Sequence, residues 1–193
     1  DWSWGLLQPW AKAALSQANL FRGGFDLAAA EGVIRAGSDT KAPAIFDILG
    51  ELVDNSLLRK DQGDQGGVRY SLLESIRAYA NNKLSDPTEG DPSLWGPEAR
   101  VSAQHHHAAY FSKLGKPASL RALKGFKSSA QWDGLFLELD NLVAAIDYGT
   151  PESAPLCCLA ALKVLGMKGP VALGVDIATQ VMQMPGLNRR SHS

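Results

Sequence analysis

Three groups of residues in this chain have the types that chemistry needs. His105-His106-His107 offers imidazoles to a metal ion, Gly23-Gly24 and Gly66-Gly67 offer backbone amides to a phosphate, and Cys157-Cys158 offers thiols. None has the spacing its chemistry requires. Consecutive helical residues point about 100° apart, so three adjacent histidines cannot close on one ion. Ligands at i and i+4 are needed, and Arg100, Val101 and Phe111 offer none, while His192 lies in a tail. A P-loop needs glycine amides followed by Lys-Ser or Lys-Thr, and neither glycine pair has that sequel. Neighbouring cysteines make a poor disulfide and an inadequate metal site, and they read as buried helix filler in a reducing compartment. Ser56, Ser71 and Ser75 lack a Gly-x-Ser-x-Gly elbow, and no Cys–His pairing is evident. The expectation is a non-catalytic chain with no metal site and no cofactor of its own.

The bulk numbers agree with that expectation. The chain has 193 residues, 45% apolar and 20% charged, with a formal net charge of −1. That is ordinary for a globular protein with room for a real core. No global field draws nucleic acid or an anionic membrane. No apolar run approaches the roughly 20 residues that span a bilayer. The opening Asp1-Trp2-Ser3-Trp4 lacks a secretory n-region. With no initiator Met, the chain reads as a cytoplasmic piece of a longer protein.

The elements that would position any site can be read from periodicity. Leu6, Leu7, Trp10, Ala14 and Leu15 predict a first helix near 6–17. Gly23-Gly24 is a turn, and Asp26 is placed to cap a second helix that should end near Gly37-Ser38. Pro43 suits the first turn of a third helix, along which Ile45, Ile48, Leu49, Leu52 and Val53 form one apolar stripe. Ser56-Leu57-Leu58-Arg59 and Val68-Arg69-Tyr70-Ser71-Leu72 read as two strands of a hairpin around the polar, glycine-rich loop 61–67. Leu73, Ile76, Ala80 and Leu84 return to helical spacing.

Three helices, a hairpin and a fourth helix make a winged helix-turn-helix over residues 1–85. Residues 86–94, rich in proline and acid, read as a linker. Residues 95–193 read as all helix. Val101, Ala108, Phe111 and Leu114 mark one face there, and Leu135, Leu139, Leu142, Val143 and Ile146 mark another. Two final segments near 153–166 and 171–184 have the length of one tetratricopeptide-like helix pair. The predicted fold is therefore mainly α: a winged helix with a small β-hairpin wing, then antiparallel helical hairpins.

Six motifs in order carry a family resemblance: Asp1–Leu7, Phe21–Asp26 with Ala29-Ala30-Glu31, Leu52–Leu58, Leu73–Ala80, His107–Phe111 and Glu138–Leu142. Together they resemble the region that follows the nucleotide-binding module in bacterial STAND-class signalling ATPases. The resemblance implies a regulatory arm between an upstream P-loop ATPase domain of the same chain and downstream repeats that sense a protein or small-molecule signal. ATP or ADP would belong to the parent protein alone. The positions that would lie near its nucleotide are Leu73 and Glu74. Leucine cannot hydrogen-bond a phosphate, and Glu74 is one turn from Arg77, with which it can pair.

Aromatic density at the N-terminal end marks Trp2, Trp4, Trp10, Arg22 and Phe25 as a candidate domain interface. The alternative function is a winged-helix, DNA-binding transcription factor domain. Charge argues against nucleic acid, because the third helix carries Asp47, Glu51 and Asp54 and no Lys or Arg. The wing has Arg59, Lys60 and Arg69, offset by Asp61 and Asp64. The sequence thus favours relay of nucleotide state through protein contacts.

Overall fold

The computed structural model describes residues 2–37, 42–63, 67–85, 94, 96–124 and 129–187. Two compact units divide between His106 and His107. The first holds α1 (Trp2–Leu6), α2 (Pro9–Ala18), α3 (Leu27–Val33), α4 (Ile45–Asp54), β1 (Arg59–Gln62), β2 (Val68–Ser71), α5 (Glu74–Ser85) and the start of α6 (Pro97–Ser112). The 86–94 segment read as a linker lies outside the described residues except for Leu94.

The helix expected near 6–17 is two helices. Proline has no amide hydrogen and a fixed φ, so Pro9 starts a helix more easily than it continues one. Gln8 before it is extended, with ψ of 155°. α2 is the central element of the unit. Its Ala11, Ala13, Ala14, Leu15 and Ala18 are buried, and both α4 and α5 pack against it.

Asp26 caps α3 as its position predicts, its carboxylate accepting the Ala29 amide at 2.7 Å. α3 stops at Val33, short of the expected Gly37-Ser38. Gln17 supplies the reason. Its side-chain amide donates to the Arg35 carbonyl and accepts from the Arg35 amide, each at 2.8 Å. The backbone after Ile34 is thereby satisfied in an extended form and gains nothing from more helix.

α4 buries Ile48, Leu49 and Leu52, as the stripe predicts. It starts after Pro43 rather than around it, because Ala44 is the extended N-cap. The first expected strand is also displaced. Ser56 adopts a left-handed backbone, φ 58°, while its amide reaches the Val53 carbonyl and the Leu57 amide reaches Leu52. That is a Schellman cap, with serine where glycine is commoner. Ser56, Leu57 and Leu58 therefore end α4, and the strand begins at Arg59.

The hairpin pairs Arg59 with Ser71, Lys60 with Tyr70, Asp61 with Arg69 and Gln62 with Val68. Tyr70 exchanges both backbone hydrogen bonds with Phe25, at 2.9 and 2.7 Å, which anchors the wing to the turn before α3. Gly24 sits in that turn at φ +87°, and a Cβ there would lie 2.9 Å from the Tyr70 carbonyl.

The second unit is helical: the end of α6, a 3-10 turn (Lys113–Gly115), α7 (Pro117–Ala122), α8 (Ser129–Leu137), α9 (Leu139–Asp147), α10 (Ala154–Lys168) and α11 (Val171–Met182). The stripe expected from Leu135 to Ile146 crosses a break at Glu138, between α8 and α9. Buried Asn141 donates to the Glu138 carboxylate at 2.6 Å, beside that break. Trp132 donates from its indole to the Leu123 carbonyl at 3.0 Å. α10 is the core helix. It packs on α9, α11 and the 3-10 turn, and buries Cys157, Ala160, Ala161, Val164 and Leu165. The fold is mainly helical: a winged helix with a two-stranded hairpin, followed by helical segments.

Candidate nucleic-acid interface

In a winged helix the helix preceding the wing is the one positioned to enter a DNA groove. Here that is α4. Its buried stripe fixes what faces outward: Phe46, Asp47, Gly50 and Asp54 are exposed, and Glu51 and Val53 are half-buried. Phe46 is 56% exposed. No Lys or Arg lies on the helix. Carboxylates facing phosphates repel, and reading base edges in the major groove relies most often on Arg, Lys, Asn or Gln.

The cations lie elsewhere. Arg59 and Lys60 are exposed on β1, and Arg22 is exposed on the turn after α2. Arg59 meets Asp61 at 3.4 Å, with both side chains more than half exposed, so the pair is screened and weak. Arg69 and Arg77 are spent on structure. Arg69 donates to the Gly24 carbonyl at 3.0 Å. Arg77 donates to the carbonyls of Asn19 and Phe21, at 2.9 and 2.6 Å, and locks α5 onto the end of α2. The sequence shows Arg77 only as a partner for Glu74. Its larger role was invisible, because it depends on where the turn at 19–21 comes to lie.

The candidate positions separate by burial. Leu73 is exposed, and Glu74 opens α5 with a solvated carboxylate 3.6 Å from Arg77. Trp4 is interior, edge-on to Tyr79 at 5.9 Å, with the ammonium groups of Lys12 and Lys83 at 5.6 and 5.4 Å from its ring. Phe25 is fully buried, stacked on Phe21 at 4.3 Å and near Tyr70 at 5.9 Å. Trp10 is half-buried and Arg22 exposed. Trp2 lies in α1, and its side chain is not among those described. Of the four interface candidates with described side chains, Trp10 and Arg22 have surface to offer.

The histidines face three ways on one turn of α6: His105 exposed, His106 half-buried, His107 buried. His107 packs against Phe111 at 4.6 Å and Tyr148 at 5.5 Å. Burial, then the charges of Arg35 and His105, hold His106 below its ordinary value of 6.5. The folded state therefore favours the neutral ring, while the unfolded chain takes up a proton as pH falls through about 6.5. His106 thus contributes stability above that pH and loses it below. The urea midpoint of the first unit should fall between pH 7.5 and pH 5.5, and His106→Gln should flatten that fall. An unchanged slope in the variant would remove His106 as the cause.

Cys157 and Cys158 are free thiols in the second unit, both buried. Burial pushes the Cys157 thiol up to about 12 and raises Cys158 as well, so neither is a thiolate near neutrality. Pro97, Glu98, Val101, Ser102 and His105 line an open shelf of about 520 Å³ along a single face of α6. Its polar groups come from one helix and do not converge on a point. Among the described residues, no group of three or more His, Cys, Asp or Glu is placed to hold a metal ion. No described helix is long and apolar enough to cross a membrane.

Parts of this chain are similar to known proteins. A Mycobacterium tuberculosis protein provisionally named an HTH-type transcriptional regulator is 40% identical over 120 residues. That stretch is 61% of this chain and 12% of the relative. A counterpart in Mycobacterium bovis, provisionally given the same kind of name, matches to the same extent. An uncharacterized Mycobacterium tuberculosis protein is 36% identical over 94 residues, 49% of this chain and 24% of that protein. The chain thus spans a small fraction of the length of these relatives. No solved structure gives a significant match. The model of the winged helix-turn-helix domain matches residues 7–85, so that stretch, with its four helices, capped turn and paired hairpin, is a winged helix-turn-helix domain.

Proposed function

We propose that the chain is a non-catalytic module of a large, cytoplasmic helix-turn-helix transcriptional regulator. The observation that carries this is the winged helix-turn-helix match over 7–85, together with 40% identity to proteins named as such regulators. These comparisons favour the transcription factor domain over nucleotide relay in a STAND-class ATPase, on which they are silent. Contact with DNA falls to the hairpin, not to α4. Arg59 and Lys60 are exposed on β1, and exposed Arg22 lies in the turn that Phe25 and Tyr70 tie to that hairpin. A few phosphate contacts of this kind give weak, salt-sensitive, sequence-blind binding.

The test is an anisotropy titration with mixed-sequence duplex at low salt. The expected result is binding at tens of micromolar or weaker, roughly the non-specific range. Arg59→Ala with Lys60→Ala should weaken it at least threefold. Complete absence of binding would overturn hairpin contact and leave relay through protein surfaces in front.

That relay is the second function, and one observation favours it: the outward face of α4 is acidic and apolar. In that role the winged helix, taken over 1–85, is joined through 86–94 to the helical part from 95 onward. α10 and α11 would be one helix pair of a tetratricopeptide-like array that meets the signal. Trp10 and Arg22 would face the upstream domain, with Leu73 and Glu74 near its nucleotide.

A further inference from the structure

We propose that the outward face of α4 is a docking surface for a cationic amphipathic helix of a protein partner. The inner face of α4 is complete without Phe46, because Ile48, Leu49 and Leu52 are fully buried. Phe46 is therefore surplus to the core and sits 56% exposed at the start of the helix. One turn on, Gly50 adds no side chain, and a Cβ there would meet only open space. Phe46, Gly50 and half-buried Val53 lie at i, i+4 and i+7, a strip the length of two helical turns. A partner's aliphatic side chain would rest over Gly50 beside the Phe46 ring, as an apolar anchor of an amphipathic helix does.

Charge identifies the occupant. Asp47, Glu51 and Asp54 flank the strip at i, i+4 and i+7, with no basic residue in the last turn. Like charges at this spacing disfavour an isolated helix. Asp54 also sits at the C-terminal end, where the helix dipole disfavours an anion. Among the described residues none of these carboxylates has an ion-pair partner, and local rules broken without compensation point to function. A partner bearing Lys or Arg on either side of an aliphatic anchor relieves all three carboxylates, and DNA relieves none. The surface is independent of whether the hairpin touches DNA, so either can fail without the other.

The experiment is an amide NMR titration of this chain with a synthetic helical peptide carrying Leu at i, i+3 or i+4 and i+7 and Lys elsewhere. A peptide with Glu in place of Lys is the control. The expected result is shifts centred on 45–55 for the Lys peptide only. Phe46→Ala and, separately, Asp47→Asn with Asp54→Asn should each weaken binding at least fivefold. Gly50→Leu, which places a side chain where the partner's anchor would rest, should weaken it similarly. The proposal is overturned if millimolar peptide causes no shift, if Phe46→Ala binds like the parent chain, or if duplex DNA perturbs the same resonances.

Discussion

Gly115→Ala is expected to unfold the second unit well before the first. A Cβ at this position falls onto the Leu156 backbone of α10: its carbonyl oxygen first, then its carbonyl carbon at 2.5 Å and Cα at 2.9 Å. Backbone inside a packed helix cannot rotate aside as a side chain can. The 3-10 turn would have to leave α10, the helix on which the rest of the unit packs. Overpacking of this kind costs about 1–3 kcal/mol, occasionally more. A domain's whole stability is only about 5–15 kcal/mol. Urea unfolding read by Trp132 fluorescence should show a lower midpoint or a lost transition, because that indole is anchored in the second unit. A curve like that of the parent chain would contradict so close an approach of Gly115 to α10.

Phe25→Ala should be the most damaging single truncation in the winged helix. The ring has no exposure, stacks on Phe21 at 4.3 Å and lies over Tyr70. Its backbone is half of the pairing that holds the hairpin. Truncation of a buried phenylalanine costs about 3–5 kcal/mol, the lost transfer energy plus the cavity left behind. The exposed Phe46 gives the contrast, since a surface substitution there should stay within about 0.5 kcal/mol. Thermal unfolding by circular dichroism separates the two, and equal midpoints for Phe25→Ala and Phe46→Ala would contradict the burial pattern.

Much of the fold is legible because its signals are local. Asp26 caps the helix its position announces, and the α4 stripe buries the face its spacing describes. The ends of elements are where longer-range partners intervene. Gln17 ends α3 by holding Arg35, a residue 18 positions away, and nothing local to either marks that pair. Ser56 takes a backbone conformation that glycine usually takes, so the sequence around it reads as strand when it is a helix cap. Pro9 starts α2, but the apolar spacing on either side of it runs on as if in one helix.

The candidate site was legible in its charge and less so in its burial. The acidic character of α4 follows from composition alone. Exposure does not: Trp4 and Phe25 look like interface aromatics beside Arg22, yet both belong to the core. Arg69 and Arg77 likewise count as cations in sequence but are held by backbone carbonyls in the fold.

The measurement that bears most directly on the central claim is selection of duplexes from a random pool by this chain at moderate salt, with titration of the enriched pool against a scrambled one. A winged helix that keeps α4 off the bases should enrich no motif, and the two pools should bind equally weakly, through the hairpin. A motif bound several hundredfold more tightly than the scrambled pool, and lost on substituting Asp47, Gly50 or Asp54, would make α4 a DNA reader and contradict the account.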